Sequence, residues 1–105
     1  MAHQLNKDIS PGELKEKLSH NNSLKLIDVR EELEYHTYNI GGENIPLGLL
    51  SNTFSDLTYE SNDEIIVICQ RGIRSETARR LLVSAGFTNV KNLTGGLLAY
   101  SRLSL

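Results

Sequence analysis

The chain has 105 residues, 39% of them apolar and 23% charged, with a formal net charge of −2. These are the values of one ordinary globular domain over residues 1–105, and with no basic stripe they argue against a nucleic-acid partner. The longest apolar run, Ile65 to Cys69, falls far short of the roughly 20 residues that a membrane span requires. Residues 1–7 lack the apolar core of a secretory leader, and a lone cysteine can form no intrachain disulfide, so a reducing cytoplasm with no membrane contact is expected.

In chain order, Gln4 to Ile9 reads as a short first strand. Ser10-Pro11-Gly12-Glu13 is a helix start: Ser10 can cap, Pro11 suits the first helical position and Glu13 completes a capping box. Leu14 and Leu18 then share one face. Ser19 to Ser23 reads as a loop and Leu24 to Asp28 as a strand ending at an acid. Arg30 to Tyr35 is a predicted short helix, with Glu31 and Glu32 near its positive end. Gly41-Gly42 breaks the chain, Glu43 to Ile45 is a predicted short strand ended by Pro46, and Leu47 to Leu57 is expected to be partly helical.

The strongest signals follow. Ile65-Ile66-Val67-Ile68 is apolar and β-branched, as suits a central parallel strand buried on both faces. Beyond the loop Cys69 to Arg74, a helix starting near Ser75 carries Ala78, Leu81, Leu82 and Ala85 at helical spacing, and Gly86 stops it. Val90 to Leu93 reads as a last strand. Gly95-Gly96 then turns into a closing helix through Leu97, Leu98 and Tyr100, and lacks the longer Gly-Lys pattern of a phosphate loop. The alternation predicts an α/β fold: an open, mostly parallel central sheet of about five strands with helices on both faces. Ligand sites in such sheets lie beyond the carboxyl ends of the strands, which is where Cys69 falls.

The segment Cys69-Gln70-Arg71-Gly72-Ile73-Arg74-Ser75 carries the candidate chemistry. A tight loop can turn its N–H groups inward as an anion-binding nest, the following helix adds the positive end of its dipole, and Arg71 and Arg74 add fixed charge. Each favours thiolate over thiol, so the Cys69 pKa is expected below the free value of roughly 8.5. Gly72 permits a turn that a side chain would hinder. The same cradle would bind an incoming anion. A free cysteine is often a small, inert core residue, but the strand, glycine, two arginines and helix start around this one favour a reactive site.

At these residues the sequence resembles the rhodanese-like family, whose active-site loop commonly reads C-x-x-G-x-R followed by Ser or Thr. Leu26-Ile27-Asp28-Val29-Arg30-Glu31 followed by Glu34-Tyr35 is similar to the family's D-V-R-E…E-[YF] segment. Asn44-Ile45-Pro46-Leu47 is similar to its N-I-P-L segment, and Leu93-Thr94-Gly95-Gly96 to its L-x-G-G turn. Together these span nearly the whole chain. Two departures stand out: Tyr38-Asn39-Ile40-Gly41-Gly42-Glu43 replaces the common G-H-I-x-G-A, so its histidine is absent, and Tyr100 stands where a Trp often follows the Gly-Gly turn.

The resemblance implies a rhodanese-like fold and a thiosulfate sulfurtransferase. Cys69 would take the outer sulfur of a small anionic donor such as thiosulfate, hold it as a persulfide, and pass it to cyanide or a thiol, by covalent, ping-pong chemistry. Gln70 to Ser75 would bind substrate, with Arg71 at the entrance and Arg74 steering the anion and bracing the loop. No metal or organic cofactor is needed. With no second cysteine the acceptor comes from outside, and a protein acceptor would make the chain a sulfur carrier. Rival readings are a dual-specificity phosphatase or arsenate reductase, whose similar loop is one residue longer, and a non-catalytic binding module, against which the retained cysteine argues.

The remaining candidates have plainer readings. Asp28 and Arg30 are expected to support the site structurally, the acid holding Arg30 or loop amides rather than acting as a base. Glu31, Glu32 and Glu34 read as a solvated helix face. His3, His20 and His36 match no metal-ligand spacing and read as surface residues, and Tyr35, Tyr38, Tyr59 and Tyr100 as packing or rim residues.

Overall fold

The computed structural model describes residues 7–20 and 24–103. Five strands form one sheet: β1 (Asp8–Ile9), β2 (Lys25–Asp28), β3 (Glu43–Asn44), β4 (Ile65–Ile68) and β5 (Val90–Leu93), in spatial order β1-β5-β4-β2-β3. Every pairing is parallel. The helices are α1 (Pro11–His20), α2 (Glu32–Thr37), α3 (Leu47–Leu50), α4 (Ile73–Ser84) and α5 (Gly96–Ser101), with a 3-10 turn at Phe54–Asp56.

β4 is buried at all four positions, and its alternation divides the core in two. Ile65 and Val67 pack with Leu50 of α3 and Ala78 and Leu82 of α4. Ile66 and Ile68 point the other way, to Leu14 of α1 and Leu97 of α5. The side-chain period of a strand is two, so Cys69 continues the row of Ile65 and Val67 and its sulfur faces the α4 side.

Several expectations shift by a few residues. The Ser10–Glu13 box forms in both directions, Ser10 N–H to Glu13 Oε1 at 2.8 Å and Glu13 N–H to Ser10 Oγ at 3.1 Å. α1 runs on to His20, whose ring meets Glu16 one turn back at 2.8 Å, so Ser19 and His20 are helical rather than loop. β1 covers only Asp8 and Ile9 of its predicted span, and Gln4 to Asn6 lie outside the described residues, as do residues 21–23 and His3. α2 starts at Glu32 and not at Arg30, because the Arg30 side chain turns back onto Asp28 and Glu31 stays extended as the cap.

β2 and β4 are neighbours whose chains depart in opposite directions, β2 to the β3 edge and β4 to the β5 side. That divergence opens a crevice at their carboxyl ends. The segment after β2 carries Arg30 and Glu34, and the segment after β4 carries Cys69 to Ser75.

Candidate active site

The floor of the crevice is set by a buried ion pair. Arg30 is 3% exposed and Asp28 wholly buried. Arg30 forks onto Asp28 through Nε at 3.0 Å and a terminal nitrogen at 2.8 Å, and its backbone N–H reaches the same carboxylate at 3.1 Å. The guanidinium also donates to the carbonyls of Tyr38 (2.6 Å) and Glu34 (3.3 Å), pinning α2 over the strand ends. Asn44 donates to the carbonyls of Asp28 and Arg30 at 3.1 and 2.9 Å, fixing the turn from the other side. A buried carboxylate engaged this fully is structural support, the role expected of Asp28 and Arg30.

The nucleophile loop is shorter than expected. α4 begins at Ile73, two residues before the predicted start near Ser75, because Gly72 takes a left-handed conformation (φ 91°) and itself serves as the cap. Arg74 and Ser75 are therefore first-turn residues with fixed directions. On the far side the turn after β5 closes against the loop: Leu97 N–H donates to Cys69 O at 2.9 Å and Leu98 N–H to Gln70 O at 3.0 Å. A Cβ on Gly96 would lie 2.6 Å from the Arg71 nitrogen and nearer still to the Gln70 carbonyl oxygen, so only glycine fits there.

Cys69 Sγ receives the backbone N–H of Gly72 at 3.1 Å and of Ser75 at 3.3 Å, and lies 3.2 Å from Ser75 Oγ. Cys69 is 1% exposed. It nevertheless lines a cavity of about 350 Å³ with Glu34, Gln70, Arg71, Ile73 and Arg74. A neighbouring hollow of about 410 Å³, lined by Arg30, Leu33, Glu34, Thr37, Tyr38 and Gln70, shares two of these residues. Leu33 and Ile73 stand 80% and 75% exposed at the rims, and Tyr38 about half exposed.

The six loop residues expected to bind substrate divide by position. Gln70, Arg71, Ile73 and Arg74 face the cavity, whereas Gly72 and Ser75 act on the Cys69 sulfur, Ser75 being wholly buried. Arg74 is not a free steering charge. Its two terminal nitrogens donate to the Glu34 carboxylate at 2.7 and 3.0 Å. Glu34, expected on a solvated face, instead closes the wall of the site, and the Arg74 hydrogen bonds hold its pKa down at about 2. Its Oε1 also accepts the Glu31 N–H at 2.9 Å, so one carboxylate caps α2 and braces the loop. Glu34 stands in the segment similar to the family's D-V-R-E…E-[YF] pattern, but an acid in an acid-rich helix reads alike whichever way it turns, so its contact with Arg74 was not foreseen. Asn92 of β5 was likewise missed. Buried in the strand, it accepts from Ser75 Oγ and donates to the Gly72 carbonyl at 3.1 Å. A polar residue two positions from Val90, on the same face of the strand, was the available signal.

A family model described as the rhodanese-like domain matches residues 10–103, so the chain belongs to the rhodanese-like family of sulfurtransferases and sulfur carriers. Among relatives, YrkF of Bacillus subtilis, named as a "putative sulfur carrier protein", is 40% identical over 91 residues, covering 86% of this chain and 48% of its own. YtwF of the same organism, named as a "putative sulfurtransferase", is 35% identical over 95 residues, covering 90% of this chain and 89% of its own. The human single-domain sulfurtransferase TSTD1 superposes with a TM-score of 0.83 at 26% identity, over 95% of this chain and all of that one. The chain spans half or less of several curated relatives it matches, 24% in the case of MoeZ of Mycobacterium tuberculosis, named as a "probable adenylyltransferase/sulfurtransferase".

Proposed function

We propose that the chain moves a sulfane sulfur from a small anionic donor such as thiosulfate to cyanide or a thiol, through a persulfide on Cys69. The observation that carries this reading is a sulfur that lines a cavity and is held by two N–H groups, that of Gly72 at the cap of α4 and that of Ser75 in its first turn. The Cys69 thiolate attacks the outer sulfur of the donor. The Sγ–S bond forms, the donor S–S bond breaks, and sulfite leaves with the electron pair. The first N–H groups of a helix have no acceptor four residues back, so those of Ile73 and Arg74 remain to stabilise the new outer sulfur. Arg71, exposed at the cavity, meets the donor oxygens by charge-assisted hydrogen bonds. A second nucleophile then attacks the outer sulfur and releases the Cys69 thiolate.

The loop from Cys69 to Arg74 is one residue shorter than in phosphatases, and a tighter ring suits a single sulfur better than a tetrahedral phosphate. Incubation with thiosulfate followed by intact-mass measurement tests the reading: the protein gains one sulfur, and Cys69→Ser does not. No gain, together with turnover of a phosphate ester, overturns it. The exposed apolar side chains Leu33, Ile73 and Tyr38 beside the cavity favour a second reading, in which a protein surface delivers the acceptor and the chain works as a sulfur carrier. Faster discharge of the persulfide by a protein thiol than by a free thiol of equal concentration separates the two.

A further inference from the structure

The Ser75 hydroxyl lies between the Cys69 sulfur and the Asn92 side chain. Asn92 Nδ2 donates to the Gly72 carbonyl at 3.1 Å, which fixes the amide and turns Oδ1 toward Ser75, whose hydroxyl donates to it at 2.5 Å. With that proton committed to Asn92, Ser75 Oγ presents a lone pair to Sγ, 3.2 Å away. The arrangement suits a thiol, whose S–H can donate to Ser75 Oγ in a chain from sulfur to hydroxyl to amide. It opposes a thiolate. When the S–H proton leaves to solvent, the Ser75 hydroxyl either keeps a lone pair against an anion or rotates toward the sulfur and leaves the buried Asn92 Oδ1 without its donor.

We propose that Asn92 is a positioning residue that sets how readily Cys69 becomes a thiolate, by holding the Ser75 hydroxyl proton away from the sulfur. In the persulfide the negative charge lies on the outer sulfur and Sγ needs no hydroxyl proton. The Ser75–Asn92 bond is then undisturbed, so this bond favours the loaded cysteine over the empty thiolate. The charged groups facing the sulfur are Arg71 and Arg74 from the loop and α4 and Glu34 from α2, with Asp28 and Arg30 beyond β2 occupied by each other. None of these bonds Asn92 or Ser75, so their field is common to the variants compared.

The test needs no sulfur donor and so stands apart from the proposed transferase activity: the alkylation rate of Cys69 by iodoacetamide against pH, on the full chain. Asn92→Ala frees the Ser75 hydroxyl for the sulfur and moves the midpoint down by about one pH unit, the size of one hydrogen bond to a charged group. The loop keeps its Leu97 and Leu98 anchors on Cys69 and Gln70. In a Ser75→Ala background the same substitution produces no downward shift. Asn92→Asp retains the acceptor and adds negative charge, and its midpoint moves up. A midpoint unchanged or raised in Asn92→Ala, a shift of full size without the Ser75 hydroxyl, or a wild-type midpoint in Asn92→Asp each overturns the proposal.

Discussion

Arg74 and Glu34 are 40 positions apart in sequence and meet through two hydrogen bonds, of 2.7 and 3.0 Å, across the mouth of the crevice. The pair ties the first turn of α4 to α2, so the loop that holds Cys69 is braced from the segment that follows β2. It also neutralises a guanidinium that lines the cavity.

Substitution Glu34→Ala is therefore expected to split the kinetic parameters of sulfur transfer. The freed guanidinium draws the anionic donor more strongly and lowers KM, while the unbraced loop orients the sulfur less well and lowers kcat by about tenfold. Steady-state kinetics with thiosulfate read both values, and an unchanged kcat would show that the brace is dispensable.

Acid stability tests the same pair. The Glu34 carboxyl titrates at about 2 in the fold against an ordinary 4.5, chiefly because Arg74 hydrogen-bonds its charged form. The unfolded chain thus binds more protons than the native one between these values, and the stabilisation, complete above pH 4.5, is lost as pH falls toward 2. The pair is more than a third exposed, so solvent screening limits the contribution to about 1 kcal/mol. Urea unfolding at pH 6 and pH 3 should show Glu34→Gln losing less stability on acidification than the unaltered chain.

The Asp28–Arg30 pair makes a different demand. Arg30→Met strands a buried carboxylate and should cost about 3–5 kcal/mol. Adding Asp28→Asn to Arg30→Met removes the stranded charge and should recover part of that loss. Chemical denaturation of the two variants decides; equal stabilities would mean that a stranded Asp28 charge is not the source of the loss.

Gly96→Ala places a methyl group against the Gln70 carbonyl and the Arg71 nitrogen, in backbone with φ of 64°. The loop must move, and the expected outcome is a loss of about 1–3 kcal/mol with a fall in Cys69 reactivity. A thermal melt and thiol alkylation check it. A substitution at Gly12, around whose Cβ there is open space, serves as the control.

Much of this fold was legible in the chain. The β-branched run of β4 could be little but a buried strand, and Ala78 and Leu82 were placed by their spacing on the face of α4 that packs on it. The parallel sheet flanked by helices, the capping box and the cysteine loop followed from the same local patterns. The start of α4 was misjudged because its cap is a glycine, whose backbone does what a side chain usually announces. Glu34 and Asn92 escaped for another reason. Their partners lie 40 and 17 to 20 residues away, and nothing local to an acid or an amide says which distant group the topology will bring to it.

Cys69 is almost wholly enclosed, yet it lines a hollow. With so little of the sulfur in reach, access to it would act as a sieve. A cargo atom stored there would meet slender reagents arriving end-on, while bulky disulfides and folded thiol proteins would be kept out unless they extend an arm. The lifetime of the cargo would then depend on the shape of whatever comes to collect it as much as on that reagent's chemistry.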